Sequence, residues 1–549
     1  MNTVLLFFAS EADPNGLSQM REVIQNILEK TDETCKVLII SEGNHHLVEN
    51  LPAAFSERLR KHCGEFKNVN TAILSAREAG LLNCDLLLLT TPGDIIDLSQ
   101  KTVDAFCAVH SLADAGFIIS DHYEVIDEGT PDQRLVLQRL KPGHDPSNII
   151  IPGRSNHPAL FCHGALIGVG SEYINARVFD PEVDYGFDYA IRMGVLAQGG
   201  TIYTISKPMY RFQRGKPYYP GRGLQAKFEK SESEDVDRHF SYTKDPARFE
   251  WGPISFQKYL KDIGAFLPDS FFNRKVESDE SLGDGISFVM PTYNRAHLIH
   301  YAIESVLAVR KRVNHKIPIE LIIVDNGHDH TGEVVKSYLP EHSEMIKYFK
   351  VSGMTLGGTR NFGVYQSRNR IIGQLDSDDV LIGDPVTKIL EQFRKSGAAA
   401  IIGIYQTAVR NSETGELTLD NRIILHDEYL CNQNNPLLQV CIPGPGAPRY
   451  YRKEAIIAAG GYPDLLYGED AALSDQLLIQ RYIIERNLDE ANYIAVRHSA
   501  NTDTEELGSD LLVRKNFAKY SFKLSILEEL KHLVLSNPDF HKFNNRVGF

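Results

Sequence analysis

The sequence lacks the features that mark a membrane-spanning or secreted protein. No apolar run approaches the roughly 18 residues that a transmembrane helix needs, and the best run, Leu86–Leu89, has the length of a strand. The N-terminus has no basic start and turns acidic at Glu11, which argues against a signal peptide. We therefore expect a protein of the cytoplasm, either free or bound peripherally at the inner face of the membrane.

Basic side chains are too few for a protein that binds nucleic acid. The chain has 58 Lys and Arg residues against 72 Asp and Glu residues, which gives a formal net charge of -14. Nucleic-acid binding depends on a basic face that releases counterions, so this balance argues against such a partner. A local basic pocket for a diphosphate remains compatible with it.

Cysteine is scarce and shows no paired spacing. The seven cysteines are odd in number, and none lies in a C-x-x-C pair. This pattern favours reduced thiols over a disulfide framework or a zinc site. The rest of the composition, with 42% apolar and 24% charged residues, is ordinary for a globular protein. A length of 549 residues predicts two to four domains.

Strands and helices alternate in the C-terminal half. Ile286–Met290 is a short apolar strand, and the helix after it carries apolar residues at i, i+3, i+4, i+7 and i+8 over Ile299–Leu307. Leu321–Val324 is a second strand that ends on Asp325, and Ile371–Leu375 is another. This alternation predicts an α/β fold with a largely parallel sheet and with its chemistry at the carboxyl ends of the strands.

The N-terminal half repeats this order of elements. Its predicted strands and helix are Val4–Phe8, the apolar helical spacing of Met20–Leu28, Lys36–Ile40 and Asp85–Leu89. Short motifs recur as well: Ala76–Gly80 takes the place of Thr359–Gly363, and Tyr185–Asp188 takes the place of Tyr467–Asp470. We interpret this order as an internal duplication of one fold. Two unrelated α/β domains are the alternative.

Four segments follow from this reading. We predict a divergent first domain over residues 1–213, a connecting segment and linker over 214–285, a second domain over 286–508, and a helical tail over 509–549. The best linker candidate is Glu277–Gly285, which is polar and contains Gly and Ser. The amphipathic tail is a candidate contact surface for a partner or for a second copy of the chain.

The run Asp376-Ser377-Asp378-Asp379 carries the clearest chemistry. Three carboxylates in four residues repel one another unless a cation neutralises them. Mg²⁺ and Mn²⁺ prefer oxygen ligands and often keep diphosphate oxygens among them. A solvated acidic turn or a helix cap is the alternative. The position of the run directly after an apolar strand favours ligand binding.

Five motifs in the C-terminal half together resemble glycosyltransferase family 2. In chain order they are Val289-Met290-Pro291-Thr292-Tyr293-Asn294-Arg295, Ile322-Ile323-Val324-Asp325-Asn326-Gly327, Gly357-Gly358-Thr359-Arg360-Asn361-Phe362-Gly363, Asp376-Ser377-Asp378-Asp379 and Gly468-Glu469-Asp470. The resemblance implies a GT-A fold, a nucleotide-diphosphate sugar donor (a UDP-sugar foremost), a divalent metal (Mn²⁺ or Mg²⁺) and inversion at the anomeric carbon. It spans about residues 286–500, and the first half is then a divergent second GT-A-like domain.

The resemblance also implies a role for each matching residue. The nucleotide-sugar would be bound by Pro291, Thr292, Tyr293, Arg295, Asp325, Arg360, Asp376 and Ser377. Within this set, Asp325 would accept a hydrogen bond from the base, and Arg360 would approach the diphosphate or ribose. Asp378 would bind the metal, with Asp376 and His498 as further candidate ligands. Asp470 would be the general base, with Glu469 beside it.

The N-terminal half departs from this pattern. It has no counterpart of Pro291-Thr292-Tyr293-Asn294, and aligning Asp94 with Asp379 places Thr91 and Gly93 at the positions of Asp376 and Asp378. Asp188 keeps the position of Asp470, so Asp94 and Asp188 mark a candidate second site. The first half is therefore either a domain that scaffolds, dimerises or holds an acceptor, or a second transferase.

The leading function is a metal-dependent sugar transfer to a hydroxyl of a glycan, a lipid-linked glycan or a peptide. One alternative is a bifunctional glycan polymerase in which both domains are active. Another is a non-catalytic protein that binds nucleotide or carbohydrate. The sugar, the acceptor and the oligomeric state depend on loops that no motif specifies.

Overall fold

The computed structural model forms two compact units, Met1–Gly264 and Ala265–Phe549. The residues that it describes are 1–10, 14–42, 53–89, 95–126, 133–138, 166–183, 187–213, 246–264, 266, 273–276, 285–411, 414–424, 447–465, 468–497, and 521, 522, 524–526, 528, 529, 532 and 536. No helix in these ranges is long and apolar enough to cross a membrane.

The first unit is an α/β domain. Its elements are β1 (Thr3–Ser10), α1 (Pro14–Lys30), β2 (Cys35–Glu42), β3 (Leu59–Cys63), α2 (Val69–Glu78), β4 (Leu86–Leu89), β5 (Ile95–Asp97), α3 (Gln100–Ala113), β6 (Ala115–Ser120), β7 (His122–Ile126), β8 (Arg134–Gln138), β9 (Ile167–Gly170), α4 (Phe187–Ala197), β10 (Thr201–Ile205), β11 (Arg211–Gln213) and α5 (Pro246–Asp262).

The second unit has the same class of architecture. Its elements are β12 (Ile286–Thr292), α6 (Ile299–Arg312), β13 (Ile319–Asp325), α7 (Thr331–His342), β14 (Ile346–Lys350), α8 (Leu356–Gln366), β15 (Ile371–Gln374), β16 (Val380–Leu381), α9 (Pro385–Ser396), β17 (Ala400–Ile402), β18 (Tyr405–Arg410), β19 (Leu417–Ile424), β20 (Arg449–Arg452), α10 (Lys453–Ala458), α11 (Glu469–Ile479), β21 (Ile484–Arg486) and β22 (Tyr493–Arg497).

The two units share one sheet topology. The larger sheets have the orders β3-β2-β1-β4-β9-β6-β10 and β14-β13-β12-β15-β20-β17-β21, and the smaller sheets have the orders β5-β11-β7-β8 and β16-β22-β18-β19. Strands β9 and β20 are antiparallel to both neighbours, while the other described pairs of the large sheets are parallel. This agreement confirms the predicted fold class of two α/β domains in tandem and favours the predicted internal duplication over two unrelated domains.

The sheets are buried on both faces, which explains the apolar runs in the sequence. In unit 1, side chains of β1 alternate between two apolar clusters: Val4 and Leu6 belong to one, and Leu5 and Phe7 belong to the other. In unit 2 all seven residues of β12 and all seven of β13 are buried. Such strands occur in parallel sheets with helices on both faces.

Side-chain caps mark the starts of two helices. Helix α2 begins with a capping box in which Asn68 accepts from Thr71. Helix α9 begins after Asp384, which accepts from Val386 and Thr387, and it ends at Gly397 in the left-handed conformation. The cysteines within the described ranges, Cys35, Cys63, Cys84 and Cys107, form no disulfide.

The predicted domain limits of 213, 285 and 508 stay predictions. Helix α5, which falls in the predicted connecting segment, packs against α4 of the first unit. Much of the predicted linker and of the tail lies outside the described residues, as do Asp94 and His498. The described residues between 521 and 536 are helical.

Candidate active site

The predicted site residues of the second unit meet at one edge of the large sheet. Strand β12 pairs in parallel with β13 and with β15, and the register places Thr292 beside Asp325 and Val289 beside Gln374. The loops that follow these three strands therefore leave the sheet side by side. The acidic run 376–379 follows β15, so it lies next to the turn that contains Tyr293 and Arg295.

The loops after β12 and β13 are tied together by side-chain caps. Asn294, with a positive φ of 55°, accepts hydrogen bonds from the backbone N–H groups of His328 at 2.7 Å and Asp329 at 3.3 Å. Asp329 accepts from the N–H of Ala296 at 3.0 Å, and the Thr331 hydroxyl accepts from the N–H of Arg295 at 3.0 Å. These four hydrogen bonds hold the backbones of the two loops together.

One buried hydroxyl at this edge makes no hydrogen bond with the described protein atoms. Within the described residues, Thr292 Oγ1 is buried and makes no hydrogen bond. An unsatisfied buried hydroxyl costs about 1–3 kcal/mol, so it is a natural contact for a ligand. The neighbouring Tyr293 is 55% exposed, and its ring stands edge-on to His328 with 6.0 Å between centroids.

Asp325 is held by protein donors. Its side chain is fully buried and accepts from the N–H of Gly327 at 2.9 Å, the hydroxyl of Tyr348 at 2.8 Å and Nζ of Lys350 at 2.9 Å. Burial and the hydrogen bond to Asp325 raise the pKa of Tyr348. Lys350 is about half exposed, so it is the member of this group that a ligand can reach.

The three carboxylates of the acidic run differ in burial: that of Asp379 is buried, and those of Asp376 and Asp378 are partly exposed. Asp379 is buried and accepts from the Tyr493 hydroxyl at 2.6 Å and the Val496 N–H at 2.8 Å. Burial, with the nearby carboxylates of Asp378 and Asp376, raises the pKa of Asp379 well above its usual value. The side chains of Asp376 and Asp378 remain 39% and 18% exposed.

These two carboxylates are the part of the run that fits a divalent cation. They offer hard oxygen ligands at a strand end, and a diphosphate would supply further oxygens. In the described part of the chain, no group of three or more His, Cys, Asp or Glu side chains is arranged to hold a metal. Arg295 Nε lies 3.6 Å from Asp378 Oδ2 and balances part of the negative charge.

A buried pair of arginines connects the acidic run to helix α11. Arg360, with only 4% of its side chain exposed, donates from Nη2 to Asp376 at 2.9 Å and from Nε to Glu469 at 3.0 Å. Arg449 lies 2.8 Å from Asp470. Gln374 lies between the two guanidinium groups, and its oxygen accepts from Arg360 at 3.1 Å and Arg449 at 2.9 Å when the amide is oriented toward them.

The two acidic residues at the start of α11 have different environments. Glu469 has 3% of its side chain exposed and turns inward to Arg360. Burial and the adjacent Asp470 raise the pKa of Glu469, while Arg360 opposes this shift. Asp470 keeps 21% of its side chain exposed. Of the two, Asp470 is therefore the one that can meet a substrate.

Several members of this network lie in no recognisable sequence motif. Gln374, Arg449 and Tyr493 carry no motif, and none was assigned a function from the sequence. Gln374 and Arg449 are neighbours only because β15 and β20 pair in antiparallel register. The sequence offers one signal for Gln374 and Arg449, which is that polar residues occur within strands whose residues are buried.

The first unit has apolar residues where this network stands. Its strands β4 and β9 pair Leu89 with Ile167, as β15 and β20 pair Gln374 with Arg449. Both Leu89 and Ile167 are buried in one apolar cluster. The polar layer of the second unit is thus a hydrophobic core in the first.

The predicted correspondence between residues 76–80 and residues 359–363 is wrong. Arg360 is the fifth residue after the helix cap Thr355, whereas Arg77 lies in the last turn of α2 and is exposed. Counted from the cap Asn68, the fifth residue is Ile73, which belongs to the same apolar cluster as Leu89.

One carboxylate is retained in the first unit. Asp188, in the first turn of α4, is buried and lies 3.9 Å from Arg192 one turn later. Its ion pair is therefore local to its own helix, unlike the pair of Asp470 with a neighbouring strand. Asp94, the other candidate of this half, lies outside the described residues.

Comparison with known proteins finds a family model that matches the core of the second unit. Residues 287–456 match the model of glycosyl transferase family 2. The minor teichoic acid biosynthesis protein GgaA of Bacillus subtilis (strain 168) is 24% identical over 265 residues, which is 47% of this chain and 55% of that protein. The succinoglycan biosynthesis protein ExoO of Rhizobium meliloti (strain 1021) is 32% identical over 138 residues, 25% of this chain and 35% of that protein.

A solved structure shows a further likeness. The structure of S. aureus TarS 1-349 in complex with UDP-GlcNAc is similar with a TM-score of 0.34 and 18% identity, over 46% of this chain and 73% of that chain. The present chain spans about half of the length of GgaA and about a third of that of ExoO.

Proposed function

We propose that the second unit, in which residues 287–456 match the model of glycosyl transferase family 2, transfers a sugar from a nucleotide-diphosphate donor to an acceptor hydroxyl, with inversion. One observation carries this proposal. Asp376 and Asp470, the carboxylates predicted for the donor side and the acceptor side, lie at the two ends of one buried arginine network.

The donor pocket lies at the carboxyl edge of the sheet. In this proposal Pro291, Thr292, Tyr293 and Arg295 contact the base and ribose, and Ser377 contributes from the acidic run. The unpartnered Thr292 hydroxyl and the exposed Tyr293 ring support this assignment. Asp325 acts together with Lys350, since its carboxylate is already held by protein donors.

Asp376 and Asp378 would hold a divalent metal, with His498 as a further candidate ligand. When bound, such a cation stabilises the negative charge that develops on the leaving diphosphate. The carboxylates are exposed enough to reach it. Arg360 is buried beneath Asp376, so we assign it to holding this carboxylate in place.

Asp470 is the proposed general base, and Glu469 supports it from beneath. The acceptor oxygen forms the new bond to the anomeric carbon as the bond to the diphosphate oxygen breaks. The hydroxyl proton passes to Asp470, and the electron pair of the broken bond leaves with the nucleoside diphosphate. Inversion places the base and the leaving group on opposite faces of the sugar.

We propose UDP-sugars as the donors and a surface polysaccharide as the acceptor class. GgaA and ExoO are named for teichoic acid and succinoglycan biosynthesis, which supports a polymer acceptor. Lipid-linked and peptide hydroxyls are the other acceptors to test. A cytoplasmic site of action, free or at the inner face of the membrane, fits nucleotide-sugar donors, and the helical tail is the proposed contact surface for a partner or a second copy.

For the first unit we propose a scaffolding or acceptor-holding role. The layer that corresponds to Arg360, Gln374 and Arg449 is apolar there, so no described cation stands at the positions of Arg360 and Arg449 to hold a diphosphate-side carboxylate. The alternative, a second active transferase, rests on Asp188 alone among the described residues.

A donor screen tests the proposed function. Release of nucleoside diphosphate from a panel of nucleotide-sugars is measured with Mn²⁺ and with EDTA, alongside metal-dependent thermal stabilisation by each donor. We expect metal-dependent release with at least one donor, and its loss in Asp378→Asn. No release and no metal-dependent binding with any donor would favour the non-catalytic binding protein.

A further inference from the structure

Both carboxylate oxygens of Asp470 contact protein donors. Oδ1 accepts from the N–H of Ala471 at 2.6 Å, and Oδ2 lies 2.8 Å from Arg449 Nη2. Arg449 is the first residue of β20, and its side chain is 7% exposed. The orientation of the carboxylate is therefore determined by a strand residue as well as by its own helix.

Carboxylates outnumber arginines around Asp470. It faces Arg449 from β20, Glu469 from its own helix, and Arg360 from α8, and burial together with the charge of Asp470 raises the pKa of Tyr451 and Tyr462. Asp376 acts on the same two arginines. Two arginines thus balance three carboxylates. Burial lowers the pKa of Arg449, and Arg360 acts in the same direction, but Asp470, with Tyr451 and Asp376, outweighs both and raises it, so this guanidinium stays charged.

We infer that Arg449 is a positioning residue that aims the Asp470 carboxylate at the acceptor hydroxyl and keeps it ionised. This inference rests on the proposed function of Asp470. Arg449 itself contacts no substrate in this assignment. Its effect passes through Asp470 on one side and through the shared Gln374 amide to Arg360 on the other. An adjacent cation favours the ionised form of a carboxylate, and only that form accepts the proton.

The same strand supplies a matched control. Arg452, three residues after Arg449, is also buried, but it donates to backbone carbonyls, those of Ala398 at 2.9 Å and of Phe393. Its removal disturbs packing near the other end of β20 without removing a charge from Asp470. Arg449→Met and Arg452→Met therefore separate positioning of the base from support of the strand.

The test compares wild type, Arg449→Met, Arg449→Lys and Arg452→Met in the full chain. Values of kcat, of KM for donor and acceptor, and of kcat against pH are measured with the donor that the screen identifies. Misplacing a catalytic group costs on the order of 10²-fold in rate, and we expect a loss of that size in kcat for Arg449→Met. We also expect the KM for the donor to stay unchanged. The acidic limb of the profile of kcat against pH should move to higher pH.

The other two variants separate the effect of charge from the effect of packing. Arg449→Lys keeps the charge, so its acidic limb should stay near that of wild type although kcat falls, and it serves if Arg449→Met does not fold. Arg452→Met should lower stability and keep both kcat and the acidic limb. Wild-type kcat and pH profile in Arg449→Met, or the same losses in Arg452→Met, would overturn the inference.

A second measurement distinguishes failure of the proposed function from failure of this inference. If wild type transfers no sugar, that function is rejected, and the contact is read instead from an infrared titration of Asp470, identified by its absence in Asp470→Asn. Arg449→Met should shift this titration to higher pH. An unshifted titration would show that Arg449 does not keep Asp470 ionised.

Discussion

Arg360 donates to Glu469 across 3.0 Å although the two residues are 109 positions apart in the chain. Both side chains are almost completely buried. A buried charge is tolerated only when it is paired, so each of these residues depends on the other. The pair joins α8 to α11 and, through Asp376, joins both helices to the end of β15.

Arg360→Met should be strongly destabilising. Removing one partner of a buried ion pair costs about 3–5 kcal/mol, because it leaves an uncompensated charge behind. Burial and Asp470 raise the pKa of Glu469, and Arg360 opposes them. Without Arg360 the folded chain keeps a proton on Glu469 that the unfolded chain releases, so the free energy of unfolding falls as pH rises. Urea unfolding at about pH 5 and about pH 8 measures this slope.

An exposed pair provides the comparison for Arg360→Met. Arg310 donates to Glu344 at 2.6 Å on the surface of the same unit. Surface pairs contribute little to stability, so Arg310→Met should be nearly neutral at both pH values. A loss in Arg360→Met that is the same at both pH values would show that Glu469 does not take up the proton.

Gly357→Ala should disturb the site from the start of α8. A Cβ at Gly357 would lie 2.3 Å from the carbonyl oxygen of Pro463 and 3.5 Å from Cβ of Glu469. Overpacking of this kind costs about 1–3 kcal/mol, and it pushes the segment before α11 away from α8. We expect a lower free energy of unfolding and a lower kcat, measured by urea unfolding and by product formation.

The next residue is the matched control for that substitution. A Cβ at Gly358 would meet Thr355 Oγ1 at 3.3 Å and Met354 Cβ at 3.7 Å. These are contacts that small side-chain shifts relieve, and Ala is favoured over Gly within a helix. Gly358→Ala should therefore keep stability and kcat. Equal losses in both variants would mean that the contact with Pro463 is not responsible.

Asp470→Asn and Asp188→Asn should have opposite outcomes. Removing a general base costs about 10²–10⁴-fold in rate, so we expect a loss of this size in Asp470→Asn. Asp188 is buried and paired with Arg192 of its own helix, so Asp188→Asn should lower the stability of the first unit and leave sugar transfer by the folded chain unchanged. Both rates are measured as product formed per chain. Sugar transfer that requires Asp188 would instead favour the alternative function, a bifunctional polymerase in which both domains are active.

The fold could be predicted from the sequence because its signals are local. Apolar runs such as that of β4 and helical spacing such as that of α6 each lie within a few residues. The order of these signals was enough to predict the duplication. The alignment of residues 76–80 with residues 359–363 failed because it followed residue types and ignored where each helix begins.

The candidate site could be predicted only in part. Asp325, Asp376 and Asp470 lie in recognisable motifs at the ends of strands or the start of a helix. Arg449 and Gln374 meet through the register of two antiparallel strands that are 75 residues apart along the chain. No local pattern reports such a pairing, and no local pattern separates the inward Glu469 from the outward Asp470.

The stoichiometry of donor binding tests the central claim, that one fold occurs twice and only the second copy holds donor and metal. Isothermal titration of the full chain with the identified nucleotide-sugar and Mn²⁺ gives the number of sites directly. We predict one donor per chain, lost in Asp378→Asn and kept in Asp188→Asn. Two donors per chain, or binding that survives Asp378→Asn and is lost in Asp188→Asn, would contradict the account.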